Sequence, residues 1–178
     1  GIVLLGLGAQ NEAGLQGAIF QVVSHGLIAA LLFFLVGLLY ERTNTTVLSK
    51  LGGMAKTVPI ISGFLLAGCL ASLGLPGMSG FVSEFMAFLG VFEQYPLYAI
   101  VGTLGLIMTA VYMLRAVLAI TFGESKNDTA RAMADVKGTE WTPLVVLTGC
   151  IILIGIYPSL LQAPLQETIS IFITDGGG

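Results

Sequence analysis

Charge is scarce in this chain of 178 residues: seven Lys or Arg, ten Asp or Glu and one His leave only 10% of it charged. A soluble domain carries roughly 25%. So little charge cannot cover a soluble surface, which excludes a soluble globular domain, and it excludes a disordered chain as well. There is no basic excess: the net charge is −3 and the isoelectric point lies near 4.9. With no basic face to offer phosphate, a nucleic-acid partner is excluded. Cysteine occurs only as Cys69 and Cys150. Both sit in apolar runs at a spacing that fits no metal motif, so both read as small buried hydrophobes. Gly52-Gly53 and Gly74-x-x-Gly77 lack the Lys-Ser/Thr partner of a phosphate-binding loop. Nothing in the chain resembles a nucleophile triad, a haem-ligand pair or an iron–sulfur cysteine cluster.

What the chain has instead is apolar length. Hydrophobic residues make up 56% of it and the mean hydropathy is +0.95. Its apolar runs are too long for barrel strands, so the expected class is all-α, a polytopic transmembrane helical bundle. Residues 1–9 form an apolar run with no charged leader and no cleavage site, unlike a signal peptide. Nine residues reach only about 14 Å as a helix, so this run reads as the end of a truncated transmembrane helix. Five apolar segments follow, at 15–40, 57–73, 80–92, 97–122 and 141–161. The first, fourth and fifth are long enough to span unaided. The third reaches only about 20 Å and is flanked by Gly74, Pro76, Gly77 and Gly80. It reads as re-entrant or as half of a broken helix, which survives at membrane depth only where protein or a wet cavity satisfies it.

The connections are short. Residues 41–56 carry Arg42, Lys50 and Lys56, and the polar loop 123–140 carries Lys126, Arg131 and Lys137. A re-entrant third segment puts both basic stretches on one face, which the positive-inside rule makes cytoplasmic. A spanning one splits them three and three, and the rule then favours neither orientation. Residues 162–178 read as a tail.

Ionisable groups inside apolar segments are few, so each stands out. Glu84 lies among apolar neighbours in the short third segment. A carboxylate there is expensive unless paired, hydrated or protonated, and a poised acid can load and release a proton. The plain alternative is an interfacial acid at the mouth of a short helix. His25 sits about ten residues into the first segment, and with Gln16, Gln21 and Ser24 it makes a polar stripe. Gln21 and His25, four apart, share a helix face, and an imidazole can relay protons. A histidine hydrogen-bonded between helices is the plain alternative. Arg115 reads as a snorkelling side chain. Tyr112, Trp141 and Tyr157 fit an interfacial aromatic belt. Together these residues suggest ion or proton translocation.

Two blocks carry a resemblance. One is Ser24-His25-Gly26-Leu27, continuing to Gly37-Leu38-Leu39-Tyr40-Glu41-Arg42-Thr43. The other is Gly52-Gly53-Met54, then Ala71-Ser72-Leu73-Gly74-Leu75-Pro76-Gly77-Met78-Ser79-Gly80-Phe81-Val82-Ser83-Glu84-Phe85. The chain resembles the antiporter-like membrane subunits of respiratory complex I, the bacterial NADH:quinone oxidoreductase, over residues 1–161. A glutamate at 84, where sister subunits usually carry lysine, points to the subunit M (chain 4) branch. The resemblance implies a 14-helix subunit with two inverted repeats. This chain would supply the end of the ninth helix and the last five, with 80–92 as a spanning discontinuous helix. It implies proton translocation through Glu84 and His25; the stripe adds Gln21 and Ser24 as supporting polar groups, and the Gly-Pro stretch adds Gly74, Pro76, Gly77 and Gly80 as the helix break.

The resemblance further implies an enzyme complex in which this chain is a non-redox subunit holding no cofactor and no metal. NADH, FMN, iron–sulfur clusters and quinone would act in partner subunits. The partners would be the other membrane-arm subunits and the lipid bilayer, and the location the bacterial inner membrane. A multi-subunit sodium/proton antiporter shares these motifs, as does a ferredoxin-linked membrane hydrogenase. A purely structural arm element is the alternative of another class.

Overall fold

The computed structural model describes residues 1–124 and 133–175. Residues 125–132 of the expected 123–140 loop, with Lys126 and Arg131, lie outside the described residues, as do the last three glycines. The described residues form helices and no strands: α1 (Ile2–Gly8), α2 (Glu12–Thr43), α3 (Met54–Thr57), α4 (Pro59–Ser72), α5 (Ser79–Gln94), α6 (Pro96–Thr121), α7 (Trp141–Ile156) and α8 (Ser159–Asp175). Three stretches are long and apolar enough to cross a membrane: Glu12–Thr43, Pro96–Thr121 and Gly138–Ile156. The all-α, polytopic expectation holds.

Local chemistry sets the boundaries. Asn11 caps α2, its side-chain oxygen accepting from Gly14 N at 2.9 Å. The helix ends at Asn44, in the left-handed region at φ 51°, a conformation asparagine tolerates. Pro59 and Pro96 open α4 and α6 at their first turns, where a missing N–H costs nothing. Pro158 separates α7 from α8, because the residue before a proline is steered out of the α region. That residue, Tyr157, adopts ψ 68°.

The break between α4 and α5 is a built turn. Gly74 has φ +69°. Gly74 N donates to Ala71 O at 3.3 Å, and Leu75 N donates to Leu70 O at 3.0 Å. This paired pattern, with glycine in the left-handed position, closes a helix and satisfies its last carbonyls. Pro76 follows, and Gly77 turns the chain again at φ +93°.

Contacts along α2 show how the pieces stack. Ile61, near the start of α4, bonds the segment held by Arg42 at the end of α2. Gly68 packs on Leu31 and Leu32, and Gly80 on Ile28. Further along, Ser79 bonds Ser24, Gly17 abuts Ala87, and Gly90 abuts Gly14. Helices α4 and α5 therefore run in the same direction, end to end, antiparallel to α2. With rises of about 21 and 24 Å they match the roughly 48 Å of α2. The resemblance implied separate helices at 57–73 and 80–92. Neither is long enough to cross alone, and joined through the turn they make one broken pass.

α6 returns beside them with most of its surface exposed, ending where Phe122 O accepts from Gly53 N at 3.1 Å. α7 starts beside Arg42 and reaches the turn, with Gly155 against the Gly77–Met78 backbone. α8 continues past α5, Gln162 Nε2 donating to Met86 Sδ at 2.7 Å. The stretch expected as a tail is thus helical through Asp175, and Ile169 is buried. Among the described residues α2, the joined α4 and α5, α6, and α7 with α8 make four runs after α1, where the resemblance implied five helices.

The two described connections, residues 44–58 and 133–140, meet at one end of the bundle. The core fills the half nearest that end. Leu31, Leu35, Met54, Val58, Ile61, Leu65, Cys69, Leu144 and Ile151 form one buried cluster. Burying such side chains stabilises by roughly 1.5–3 kcal/mol each in water. In lipid the corresponding gain comes from packing density.

Candidate functional site

Glu84 lies in the second turn of α5, just beyond the break. Its carboxylate lies over Gly74, whose missing Cβ would come within 2.8 Å of Glu84 Oε2. A Cβ at 74 would crowd that carboxylate, the far end of a flexible side chain that can swing aside, so it is the φ of +69° that calls for glycine here. Among the described residues Glu84 makes no hydrogen bond. Its carboxylate opens into a cleft of about 760 Å³ between α1, α2, α5 and α6, which His25 also lines. Gln21, Ser72, Thr109 and Tyr112 supply other polar groups of that wall, and most of the rest is apolar, Phe33 and Met113 included.

The expected stripe on α2 divides. His25 faces the cleft. Ser24 is fully buried and donates to Ser79 Oγ at 2.8 Å. Gln21 is shared: it borders the cleft, and its carbonyl accepts from Ser83 Oγ. Gly74, Pro76 and Gly77 form the turn, whereas Gly80 lies inside α5. There a Cβ would strike the Ala71 carbonyl, so Gly80 lets the two half-helices overlap closely. Gln16, also on the stripe, bonds Glu12 at 3.0 Å, away from the cleft.

Sequence reasoning missed Ser79 and Ser83. They sit four apart on α5, opposite Ser24 and Gln21, and matching small polar residues on two apolar segments were the available signal. It also missed Ser72 and Thr109, which carry no signal in an apolar run. Tyr112, read as part of an interfacial belt, lines the cleft. Arg115 is exposed on α6 and bonds nothing among the described residues.

A second polar centre lies at the connection end. Arg42 bridges to Glu140 at 2.7 Å and donates to the carbonyls of Leu38, Ala134 and Asp135.

A single acid and a single imidazole facing one cleft can exchange protons with water held between them. Among the described residues no three His, Cys, Asp or Glu side chains gather to hold a metal ion.

Residues 1–113 match the family described as NADH:quinone oxidoreductase/Mrp antiporter, transmembrane. The chain is 39% identical over 159 residues to NADH-quinone oxidoreductase subunit M of Rickettsia felis, covering 89% of this chain and 32% of that protein. It is 43% identical over 171 residues to NAD(P)H-quinone oxidoreductase chain 4 1 of a Synechococcus species, covering 90% and 32%. The chain thus spans about a third of the length of these relatives. In structure it is similar to a chain of respiratory complex I from Thermus thermophilus with bound NADH. The TM-score there is 0.86 with 30% identity, covering 99% of this chain and 37% of that one. A second Thermus thermophilus complex I chain shares the fold alone, at TM-score 0.56 and 17% identity over 91% of this chain and 42% of that one.

Proposed function

This chain belongs to the NADH:quinone oxidoreductase/Mrp antiporter transmembrane family, and from that premise we propose that it translocates protons as part of the membrane arm of an NADH:quinone oxidoreductase. The observation that carries this reading is the shared cleft of Glu84 and His25 beside a helix break. The break admits polar backbone and water at a depth where an ionisable group is otherwise costly. Protons pass from the His25 side of the cleft to Glu84 and leave by water. Charging of neighbouring buried groups along the arm shifts their readiness to give up a proton.

The redox steps belong to partner subunits carrying FMN, iron–sulfur clusters and the quinone site. This chain contributes no cofactor. Its location is the inner membrane of a bacterium. Both basic connections lie at one end of the bundle, and the positive-inside rule makes that end cytoplasmic.

The family description covers sodium/proton antiporters too, and a redox-silent complex of small membrane subunits would move the assignment there. The relatives of the subunit M and chain 4 type favour the oxidoreductase. Glu84→Gln tests the site: the complex assembles and oxidises NADH, but vesicle acidification driven by NADH is largely lost. Normal acidification in that variant refutes the role of Glu84.

A further inference from the structure

α4 has no cap of its own. The residue before it is Val58, and its first residue is Pro59. Its free N–H groups are met from 75 residues away in sequence. Asp135 accepts from Ile60 N at 2.8 Å on one carboxylate oxygen and from Ile61 N at 3.2 Å on the other. An acid at a helix N-terminus satisfies its orphan donors and its dipole together. Asp135 is itself held. Its carbonyl accepts from Arg42 Nη2 at 3.0 Å, and the Ala134 carbonyl accepts from Arg42 Nε at 2.7 Å. The same guanidinium bridges to Glu140 at 2.7 Å, with Arg42 side-chain exposure of only 10%. Glu140 also accepts from Lys137 N at 2.9 Å, which closes the segment on itself.

The other end of α4 is the turn that meets Glu84. A helix of 14 residues is a rod of about 21 Å, and it transmits an axial displacement along its length. Its start is pinned by Asp135. Its end presents Gly74 to the Glu84 carboxylate. We infer that Asp135 and Arg42 are positioning residues for Glu84: their clasp sets the axial place of α4 and so the fit of Gly74 against the proton-carrying acid. This deepens the proposed function and rests on it.

The clasp also ties three passes at one point. Arg42 ends α2, Asp135 caps α4, and Glu140 opens α7.

The test compares protons moved per NADH oxidised, in proteoliposomes of the intact complex carrying Asp135→Ala, Asp135→Asn, Arg42→Lys or Glu84→Gln. This ratio does not depend on how much complex assembles. Asp135→Ala lowers it by roughly twofold or more, the low end for a displaced coupling element. Asp135→Asn keeps one acceptor and recovers part of the loss. Arg42→Lys lacks the planar fork that reaches the Ala134 and Asp135 carbonyls and the Glu140 carboxylate together and falls with Asp135→Ala. Adding Asp135→Ala to Glu84→Gln lowers the ratio no further. An unchanged ratio in Asp135→Ala and Arg42→Lys, with Glu84→Gln defective, overturns the clasp and leaves Glu84 in place. An unchanged ratio in Glu84→Gln overturns the reading beneath it. If Asp135→Ala does not assemble, Asp135→Asn and Arg42→Lys decide by the same ratio.

Discussion

Two glycines on one helix make a controlled pair. Gly155 and Gly149 both lie in α7, and replacing either by alanine adds the same methyl group. At Gly149 a Cβ meets nothing within 4 Å. At Gly155 it would lie 2.5 Å from the Met78 carbonyl carbon and 2.6 Å from the Gly77 oxygen. Those atoms belong to the backbone of the turn and cannot swing aside as a side chain would. Overpacking of this kind costs about 1–3 kcal/mol, and the change from Gly to Ala returns roughly 0.4–1 kcal/mol. Gly155→Ala therefore loses about 1–2 kcal/mol, while Gly149→Ala gains a fraction of one. For a folding unit of roughly 150–250 residues each kcal/mol moves the melting temperature by roughly 2–4 °C. Thermal unfolding in detergent, followed by helical circular dichroism, should show Gly155→Ala falling by about 2–8 °C and Gly149→Ala holding or rising. Equal shifts in the two variants would mean that α7 does not seat on the turn between α4 and α5, and the stacking of the broken pass would have to be redrawn.

Two further outcomes follow from the same geometry. Single cysteines placed at Ser49 and Lys137 react with an impermeant maleimide from one side of sealed vesicles, and a cysteine at Gln94 reacts from the other. Ser49 and Lys137 labelled from opposite sides would restore 57–73 and 80–92 as separate crossings. A double-mutant cycle on Ser24→Ala and Ser79→Ala should give a coupling of about 0.6 kcal/mol, the usual size for hydrogen bonds between membrane helices; strict additivity would remove the bond between them.

The helix break, the acid beside it and the histidine across from it were legible in the sequence, because each is an exception in an apolar background. Gly74, Pro76 and Gly77 carry their meaning locally, in backbone angles and a missing N–H. Stacking is different. Hydropathy reports how far a segment reaches and says nothing of which neighbour it lies beside. The length of 80–92 marked it as re-entrant or half of a broken helix but did not name its other half, and Gly68 and Gly80 place it end to end with 57–73 along α2. Helical phase explains the split stripe. Gln21, Ser24, Ile28, Leu31 and Leu35 follow a spacing of three and four and face α4 and α5. His25 is one residue, about 100°, further round, and so meets the cleft. Asp135 was invisible as a cap because its partner lies in a remote helix. The stretch after 161, with Gln162 and Pro164, has too little hydropathy to declare a helix, and packing against α2 supplies what composition does not.

The seam between α2 and α5 divides the molecule mechanically. Gly14, Gly17 and Gly90 bring backbone against backbone there, with the Ser24–Ser79 bond at its upper end. Helices in such contact have no compressible layer of side chains between them. They cannot slide without unmaking the seam along its whole length. This half of the bundle is a stator, on which Glu84 is mounted at a fixed height. Any displacement at the level of Glu84 falls to its side chain or to the half-pass above the turn rather than to α5.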